Sequence, residues 1–460
     1  MQRGIGGVTR PLEDDPVEPS GSIDLRRLSP LDAARLVEIA IVLARHGVVA
    51  VARRGPLLVI RPRQLAPRTT AVALRRAFVD LGPTYVKLGQ LIASSPGLFP
   101  EILSDELRRL LDSVPPEPTT WVRSVIEQDL GVPVEVLFER FDGEPVAAAS
   151  IAQVHHAVLA DGTEVAVKVR RPRLRRTIER DLRLLKLLAG VLGRLGSIGA
   201  LANPGAIVDD LATTLRSELN FREEARSMIR FEHNLRSHGT NDGVLVPTPI
   251  AGLVSRRVLV MTFLHGTPID DIDALHEQGH DLEEVLRGVV RAWVEAALVH
   301  GEFHGDVHAG NLLVTPSGQV AMLDFGIMGR LDTRTRRVLR STLPALVVDR
   351  DFERAVAGIF QLGISTRAPD LAAAARDIEA LVAPLLDRRL ADISYGDVLA
   401  QVVRVATQYQ VRLPRELVLV IKQIVYFERY SKHLAPEYPI LADPGILSHL
   451  LDQGRGRLPI

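Results

Sequence analysis

Residues 304–326 read HGDVHAGNLLVTPSGQVAMLDFG, and the fold follows from this stretch. Asp306, Asn311 and Asp324 fall at the offsets of a phosphoryl-transfer loop. That chemistry needs a carboxylate to orient or deprotonate an attacking hydroxyl or water. It also needs an amide oxygen and a second carboxylate to hold magnesium against the phosphates. The short hairpin predicted between Asn311 and Asp324 turns the two metal ligands back toward one place. An HGD loop or a DFG turn alone is common by chance; D-x4-N followed thirteen residues later by DFG is not. His304 and His308 lack the spacing of a zinc site and are expected to hold the loop by hydrogen bonds.

Working outward, the segment EPVAAASIAQVHHAVLADGTEVAVKVRRP from residue 144 has strand character, with Asp161-Gly162 as a hairpin turn. It ends near Lys168 of VAVK, an ammonium placed to bridge nucleotide phosphates once a helix glutamate orients it. Glu218, Glu223 and Glu224 of SELNFREEARS are the candidates. The glycine-rich phosphate loop of a kinase reads G-x-G-x-x-G-x-V. Here the same register holds Ala147, Ala149, Ser150, Ala152 and Val154, with alanine at every glycine position. Backbone N–H groups can still face phosphate there, but each Cβ limits φ > 0 and close approach. The strand RRVLVMTFLHG (256–266) is the expected hinge, with Met261 behind the adenine and Thr262 and Leu264 offering backbone partners.

The chain has 460 residues, enough for two to four compact units. Its 46% apolar and 24% charged residues exclude bulk disorder. No apolar run is long enough to predict a spanning helix, and the first residues lack the apolar stretch of a signal peptide. With no Cys there are no disulfides and no thiol chemistry. The cytoplasm is the default compartment, with attachment to the inner face of a membrane kept open. Balanced charge, 56 basic against 56 acidic residues, argues against nucleic acid as partner.

The charge is unevenly spread. Residues 26–76 hold eleven Arg and two acids, a net of +9. Two readings compete for this segment: cationic helices on an anionic membrane surface, or a solvated face of packed helices. Only five lysines occur (Lys87, Lys168, Lys186, Lys422, Lys432), so each one is notable. Element signals give a disordered tail (1–25), a helical extension (26–131), a β-rich unit with inserted helices (132–264) and a larger helical unit (265–460); residues 205–237 read as one long helical stretch and VLVPTPI (244–250) as a strand. Within the extension, Gly89 interrupts a helical pattern at a cost of about 1 kcal/mol, which calls for a packing or functional reason.

Lys87-Leu-Gly89-Gln90, the alanine-rich loop and Glu218-Leu-Asn220 together resemble the UbiB/ADCK family of atypical protein-kinase-like proteins, with the likeness spanning roughly residues 65–440. The first tetrapeptide matches that family's KxGQ motif. Glu218-Leu-Asn220 matches its ExD motif except that Asn220 stands where the family has aspartate, so the site loses one negative charge. The resemblance implies an α+β, two-lobed kinase-like fold whose N-terminal extension covers the active site and excludes protein substrates. It assigns Asp306 as catalytic base, Asn311 and Asp324 as magnesium ligands, and Lys168 with Glu224 as phosphate clamp. Lys87, Gly89, Gln90, Glu218 and Asn220 become regulatory positions. It further implies ATP or ADP with Mg2+ as cofactors, kinase or ATPase activity, and a link to isoprenoid lipid and quinone metabolism. A small-molecule kinase of aminoglycoside or choline kinase type shares HGDxHxxN but has neither KxGQ nor the alanine loop. A nucleotide-gated lipid-binding scaffold with little turnover is a rival of another class.

Overall fold

A computed structural model describes residues 29–52, 66–93, 101–107, 109–110, 116–172, 174–192, 204–237, 241–362, 364–365, 370–386, 405, 408–409, 411–412 and 415–438. The expected tail (1–25) and residues 26–28 and 53–65 of the Arg-rich segment lie outside them. The chain is an α+β protein that divides into two compact units. Unit 1 comprises residues up to Glu223 with Pro249–Thr262; unit 2 comprises Glu224–Thr248 with the chain from Phe263 onward. In chain order the elements begin α1 (Pro30–Ala52), α2 (Ala66–Leu81), α3 (Pro83–Ala93), α4 (Glu101–Leu107), α5 (Thr119–Leu130) and α6 (Val134–Leu137). The strands β1 (Phe138–Phe141), β2 (Ala147–Ala148), β3 (Ala152–Leu159) and β4 (Glu164–Arg170) follow. Next come α7 (Leu174–Leu192), α8 (Pro204–Glu218) and α9 (Phe221–Ser237).

Among the described residues, unit 1 has two cores. The first lies against an antiparallel sheet of order β1-β3-β4-β7-β6, where β6 is Pro249–Val254 and β7 is Val258–Thr262. Strand β4 alternates strictly. Val165, Val167 and Val169 pack with Val258 and Val260 under Val122, Val125 and Ile126 of α5. Ala166 and Lys168 therefore face the other side. The β3–β4 hairpin turns at Gly162 with φ 85°, and Thr163 N–H donates to Asp161 Oδ1 at 2.9 Å, as the Asp-Gly signal predicts.

The second core is helical: Phe78, Tyr85, Leu107, Ile178, Leu182, Leu211 and Leu215 bring α2, α3, α4, α7 and α8 together. Gly82, with φ 96°, separates α2 from α3, which Pro83 then begins. The first described helix starts on a capping box. Ser29 and Asp32 exchange hydrogen bonds of 2.8–3.2 Å, with Pro30 at the first helical position. Asp32 also pairs with Arg183 at 2.8 Å. One turn on, the Arg35 guanidinium grips Asp181 at 2.8 and 3.1 Å and donates to Leu81 O at 2.7 Å. These contacts tie α1 to α7 through charges withdrawn from water.

Two expectations are corrected. The helical pattern over 205–237 is two helices, because the chain breaks at Leu219-Asn220 and restarts at Phe221. The single strand expected for VLVPTPI is split: β5 (Val244–Leu245) pairs with β11 (Val320–Met322) of unit 2, while β6 pairs with β7 of unit 1. Pro247 and Pro249 lack N–H groups, so one uninterrupted ladder cannot run through both.

In unit 2, β8 (Thr267–Pro268), α10 (Ile272–Glu277) and α11 (Leu282–Glu295) precede β9 (Glu302–His304). Strand β10 (Leu312–Val314) pairs with β11 and β8, and β12 (Met328–Arg330) pairs with β9. The chain continues through α12 (Thr333–Val347), α13 (Phe352–Leu362), α14 (Leu371–Leu386) and α15 (Arg415–Leu434). A short strand at Ile364–Ser365 pairs with Val411–Arg412. No described helix is long and apolar enough to cross a membrane.

The Ser29 N–H bond, with the Arg183 contact, outweighs burial and holds the Asp32 carboxyl at about 2. A depressed carboxylate stabilises the fold above its ordinary range near 4 and loses that contribution as pH falls toward 2. Asp32→Asn is therefore expected to melt below the wild type at pH 6, with the gap narrowing below about pH 4. A gap constant from pH 6 to pH 3 would contradict this anchor.

Candidate active site

In unit 2 the HGD and DFG segments form one hydrogen-bonded block. Asn311 donates through Nδ2 to Asp306 O at 2.9 Å, and Leu323 N–H donates to Asn311 O at 2.8 Å. The three predicted side chains Asp306, Asn311 and Asp324 are thus carried by segments bonded to one another. His304 is fully buried between them. Its Nδ1 accepts Asp306 N–H at 3.2 Å and its Nε2 donates to Leu323 O at 2.8 Å. That pattern assigns the Nε2-protonated neutral tautomer, and burial holds the imidazole below its usual range. His308 is half-exposed, with Nε2 3.7 Å from Asp306 Oδ2.

Asp324 is exposed and has φ 53°, one of two non-glycine residues in the left-handed region among those described. The strain sits beside a buried anchor. Phe325 is 1% exposed, its ring centroid 5.3 Å from that of Phe231 on α9 and 4.9 Å from that of His304. Strand β9 is fixed from the same helix, where Arg230 grips Glu302 at 2.8 and 3.0 Å. Burial alone would raise the Glu302 carboxyl, but the guanidinium contacts hold it below its usual range.

In unit 1, Lys168 is buried on β4, directly across from Val154 on β3 and Leu259 on β7. Cross-strand partners share a face, so Ala152, Val154, Lys168 and Met261 lie on the side of the sheet opposite α5. The Lys168 ammonium sits 5.4 Å from the centroid of the Phe221 ring. Glu224, also buried, lies in the first turn of α9 and belongs to unit 2; Glu223 is the last residue of the first unit-1 segment.

The alanine-rich loop is a tight hairpin tip. Ala147 pairs with Val154, and Ala149 N–H donates to Ala152 O at 2.8 Å. Arg171 pins the tip through its Nε to Ala149 O at 2.9 Å and its N–H to Ile151 O at 2.8 Å. Ser150 is buried within it. None of its alanines takes a positive φ, so this backbone does not require glycine. Thr262 ends β7, and Leu264 lies two residues beyond, half-buried.

The KxGQ residues lie on α3. The Lys87 ammonium is 2.6 Å from Glu218 Oε1, both side chains mostly buried. Gln90 Nε2 donates to Leu110 O at 3.4 Å. A Cβ on Gly89 would fall 2.3 Å from Leu110 Cδ1 and 2.9 Å from Phe78 Cδ2. The helix-interior glycine is thus explained by close packing. Asn220 precedes α9 and caps it, its Oδ1 accepting Arg222 N–H at 3.3 Å. Aspartate and asparagine serve equally well at such a position, so the departure from ExD keeps the cap.

Sequence reasoning missed Gln423 and Tyr430. Gln423, completely buried on α15, accepts Val307 N–H at 3.0 Å and donates to Gly305 O at 2.7 Å. Tyr430 donates its hydroxyl to Val307 O at 2.7 Å. A glutamine within the apolar run LVLVIKQIVYF was the available signal.

The Lys87–Glu218 pair yields a prediction. Lys87→Met and Glu218→Gln are each expected to destabilise the protein by about 1–3 kcal/mol. The double variant should lose less than the sum, because neither charge is left behind. Strict additivity in denaturant unfolding would show that the two groups do not interact.

Residues 109–358 match the family model of the ABC1 atypical kinase-like domain, and residues 378–438 match that of the UbiB helical domain. An uncharacterized protein of Mycobacterium tuberculosis is 43% identical over 377 residues, covering 82% of this chain and 77% of its own. A probable protein kinase UbiB of Marinobacter nauticus is 33% identical over 371 residues, covering 79% of this chain and 66% of its own. A solved erythromycin complex of Rv3197 from Mycobacterium tuberculosis shares the fold. Its TM-score is 0.51 at 23% identity, over 78% of this chain and 94% of that one. With its kinase-like domain matched over more than half its length, the chain belongs to the ABC1/UbiB family of atypical kinases.

Proposed function

We propose that this chain is a phosphoryl-transfer enzyme, an atypical kinase or ATPase that binds Mg-ATP and serves lipid or isoprenoid-quinone metabolism. The observation that carries this reading is the hydrogen-bonded block of unit 2, in which the segments bearing Asp306, Asn311 and Asp324 hold one another in place. Asp306 orients the attacking hydroxyl or water and receives its proton at the carboxylate.

The donor set fits magnesium. Asn311 commits its amide nitrogen to Asp306 O, which leaves Oδ1 as its metal-facing atom, and Asp324 adds one exposed carboxylate. One carboxylate and one amide oxygen suit a hard cation that takes its remaining ligands from phosphate and water. Among the described residues no group of three or more His, Asp or Glu forms an all-protein cage. When bound, the cation neutralises charge on the β- and γ-phosphates. In unit 1, Lys168 supplies an ammonium for the phosphates, and in unit 2 Glu224 supplies the carboxylate of the phosphate clamp. Ala147, Ala149, Ser150, Ala152 and Val154 form the loop facing them, and Met261, Thr262 and Leu264 receive the adenine. Lys87, Gly89 and Gln90 of the extension, with Glu218 and Asn220, regulate access to the site.

A membrane role draws support from α1. Leu31, Leu36, Val37, Ile41 and Leu43 are all more than 40% exposed on that helix, inside the Arg-rich segment. Apolar side chains beside the exposed Arg45, in a segment of net positive charge, suit an anionic lipid surface.

Asp324→Asn is expected to abolish the thermal shift caused by Mg-ATP, because a neutral amide does not replace the carboxylate facing the cation. Asp306→Asn should retain the shift and lose turnover. Equal shifts for wild type and Asp324→Asn would sink the assignment. ATP turnover without acceptor, compared with label transfer to a lipid extract, separates ATPase from kinase.

The membrane reading has its own test. Co-sedimentation with anionic vesicles should weaken sharply as salt rises, since exposed charges are screened over about 8 Å at physiological ionic strength. Substituting Val37 and Ile41 by Ser should weaken it further. Binding indifferent to both changes would count against α1.

A further inference from the structure

The backbone around Asp306 has a complete set of partners. Trp293 Nε1 donates to His304 O at 2.9 Å, and Gly305 N–H donates to Ile327 O at 2.9 Å. Gly305 O accepts from Gln423, Asp306 N–H donates to His304, and Asp306 O accepts from Asn311. Val307 N–H donates to Gln423, and Val307 O accepts from Tyr430. Every peptide group from His304 O to Val307 O is held, most of them by side chains.

Three of these seven bonds come from α15, more than a hundred residues downstream. The Gln423 amide brackets Asp306, bonding the residue before it and the residue after it, as a neighbouring strand would. Leu419 of the same helix packs so close that a Cβ on Gly305 would come within 3.3 Å of its Cδ2. The ring of Tyr426 lies beside that of His308, centroids 6.4 Å apart. Gln423, Tyr426 and Tyr430 fall at helical spacing, so one stripe of α15 faces the loop.

We propose that Gln423 and Tyr430 are positioning residues for Asp306, which makes the UbiB helical segment part of the catalytic apparatus. This rests on the phosphoryl-transfer reading. A glutamine amide both donates and accepts, so it fixes the peptide planes on either side of Asp306 against rotation. A loop released from it lets the carboxylate wander by an ångström or so, which is enough to cost on the order of 10²-fold in rate. Both side chains are buried against the loop backbone, so nucleotide binding is spared.

The test compares Gln423→Met and Tyr430→Phe with the wild type. Tyr430→Phe removes only a hydroxyl and keeps the ring, so it folds even if Gln423→Met does not. Phe352→Leu, in the core of α13 and α14, controls for general destabilisation. Expected are a fall in kcat of about 10–100-fold with KM for ATP and Mg-ATP affinity within about twofold. Faster amide exchange is expected in the peptide spanning 304–308 and not in unit 1. Phe352→Leu should lower Tm with kcat intact. Wild-type kcat and wild-type loop exchange in Tyr430→Phe, with Tm alone reduced, would overturn the proposal. A wild type that neither binds nor hydrolyses Mg-ATP defeats the functional reading, and loop exchange then decides the positioning separately.

Discussion

The need to satisfy every buried peptide group governs unit 2. Residues 305–307 lie outside any strand, so their peptide groups need partners beyond a ladder. A buried N–H or C=O left without a partner costs about 1–3 kcal/mol. The chain meets this demand by aiming His304, Asn311, Trp293, Gln423 and Tyr430 at four consecutive residues. His304 is the hub, because its two nitrogens join Asp306 to Leu323 and so bind the HGD and DFG segments to each other. Only a neutral imidazole can do this, and full burial keeps it neutral.

Unit 1 depends on a simpler rule. The alternation of β4 gives one face to Val165, Val167 and Val169 and the other to Lys168, so the valines that bury the sheet also aim the ammonium. The helical core reads the same way. Gly89 lets α3 approach Phe78 and Leu110, and Lys87, two residues earlier, reaches Glu218 at the end of α8. A compact ammonium fits where a planar fork would need more room, which accounts for lysine in a chain that otherwise uses arginine.

Local features were legible and distant ones were not. Asp306, Asn311 and Asp324 are spaced within 19 residues, and the hairpin that joins their segments is signalled by Pro316-Ser317-Gly318. The cost of Gly89 could be read, but the atoms that exact it belong to residues 78 and 110 and emerge only in the packing. Asn220 read as a lost charge in a motif; it is also a helix cap, a role visible in retrospect because Asn followed by a helical run is an N-terminal signal. The VLVPTPI stretch misled because periodicity does not say which of two sheets a strand joins. Gln423 stood out as a polar residue in an apolar run, but its role was illegible because its partners lie 116 and 118 residues away, and a lone polar residue in a helix does not announce what it holds.

Asp324 shows how strain is retained at such a site. A left-handed φ at a non-glycine residue costs on the order of 1–3 kcal/mol and persists only where its surroundings over-determine it. Here the next residue does so. Phe325 is driven into a pocket between Phe231 and His304, and burying a phenyl ring contributes about 1.5–3 kcal/mol, enough to offset the backbone. With Phe325 fixed inward and Gly326 N–H donating to Asp324 Oδ1 at 3.2 Å, the carboxylate is turned outward at the surface. The aromatic anchor is thus what places the acid, and His304 serves it twice, as a ring wall for Phe325 and as the clasp that holds Asp306.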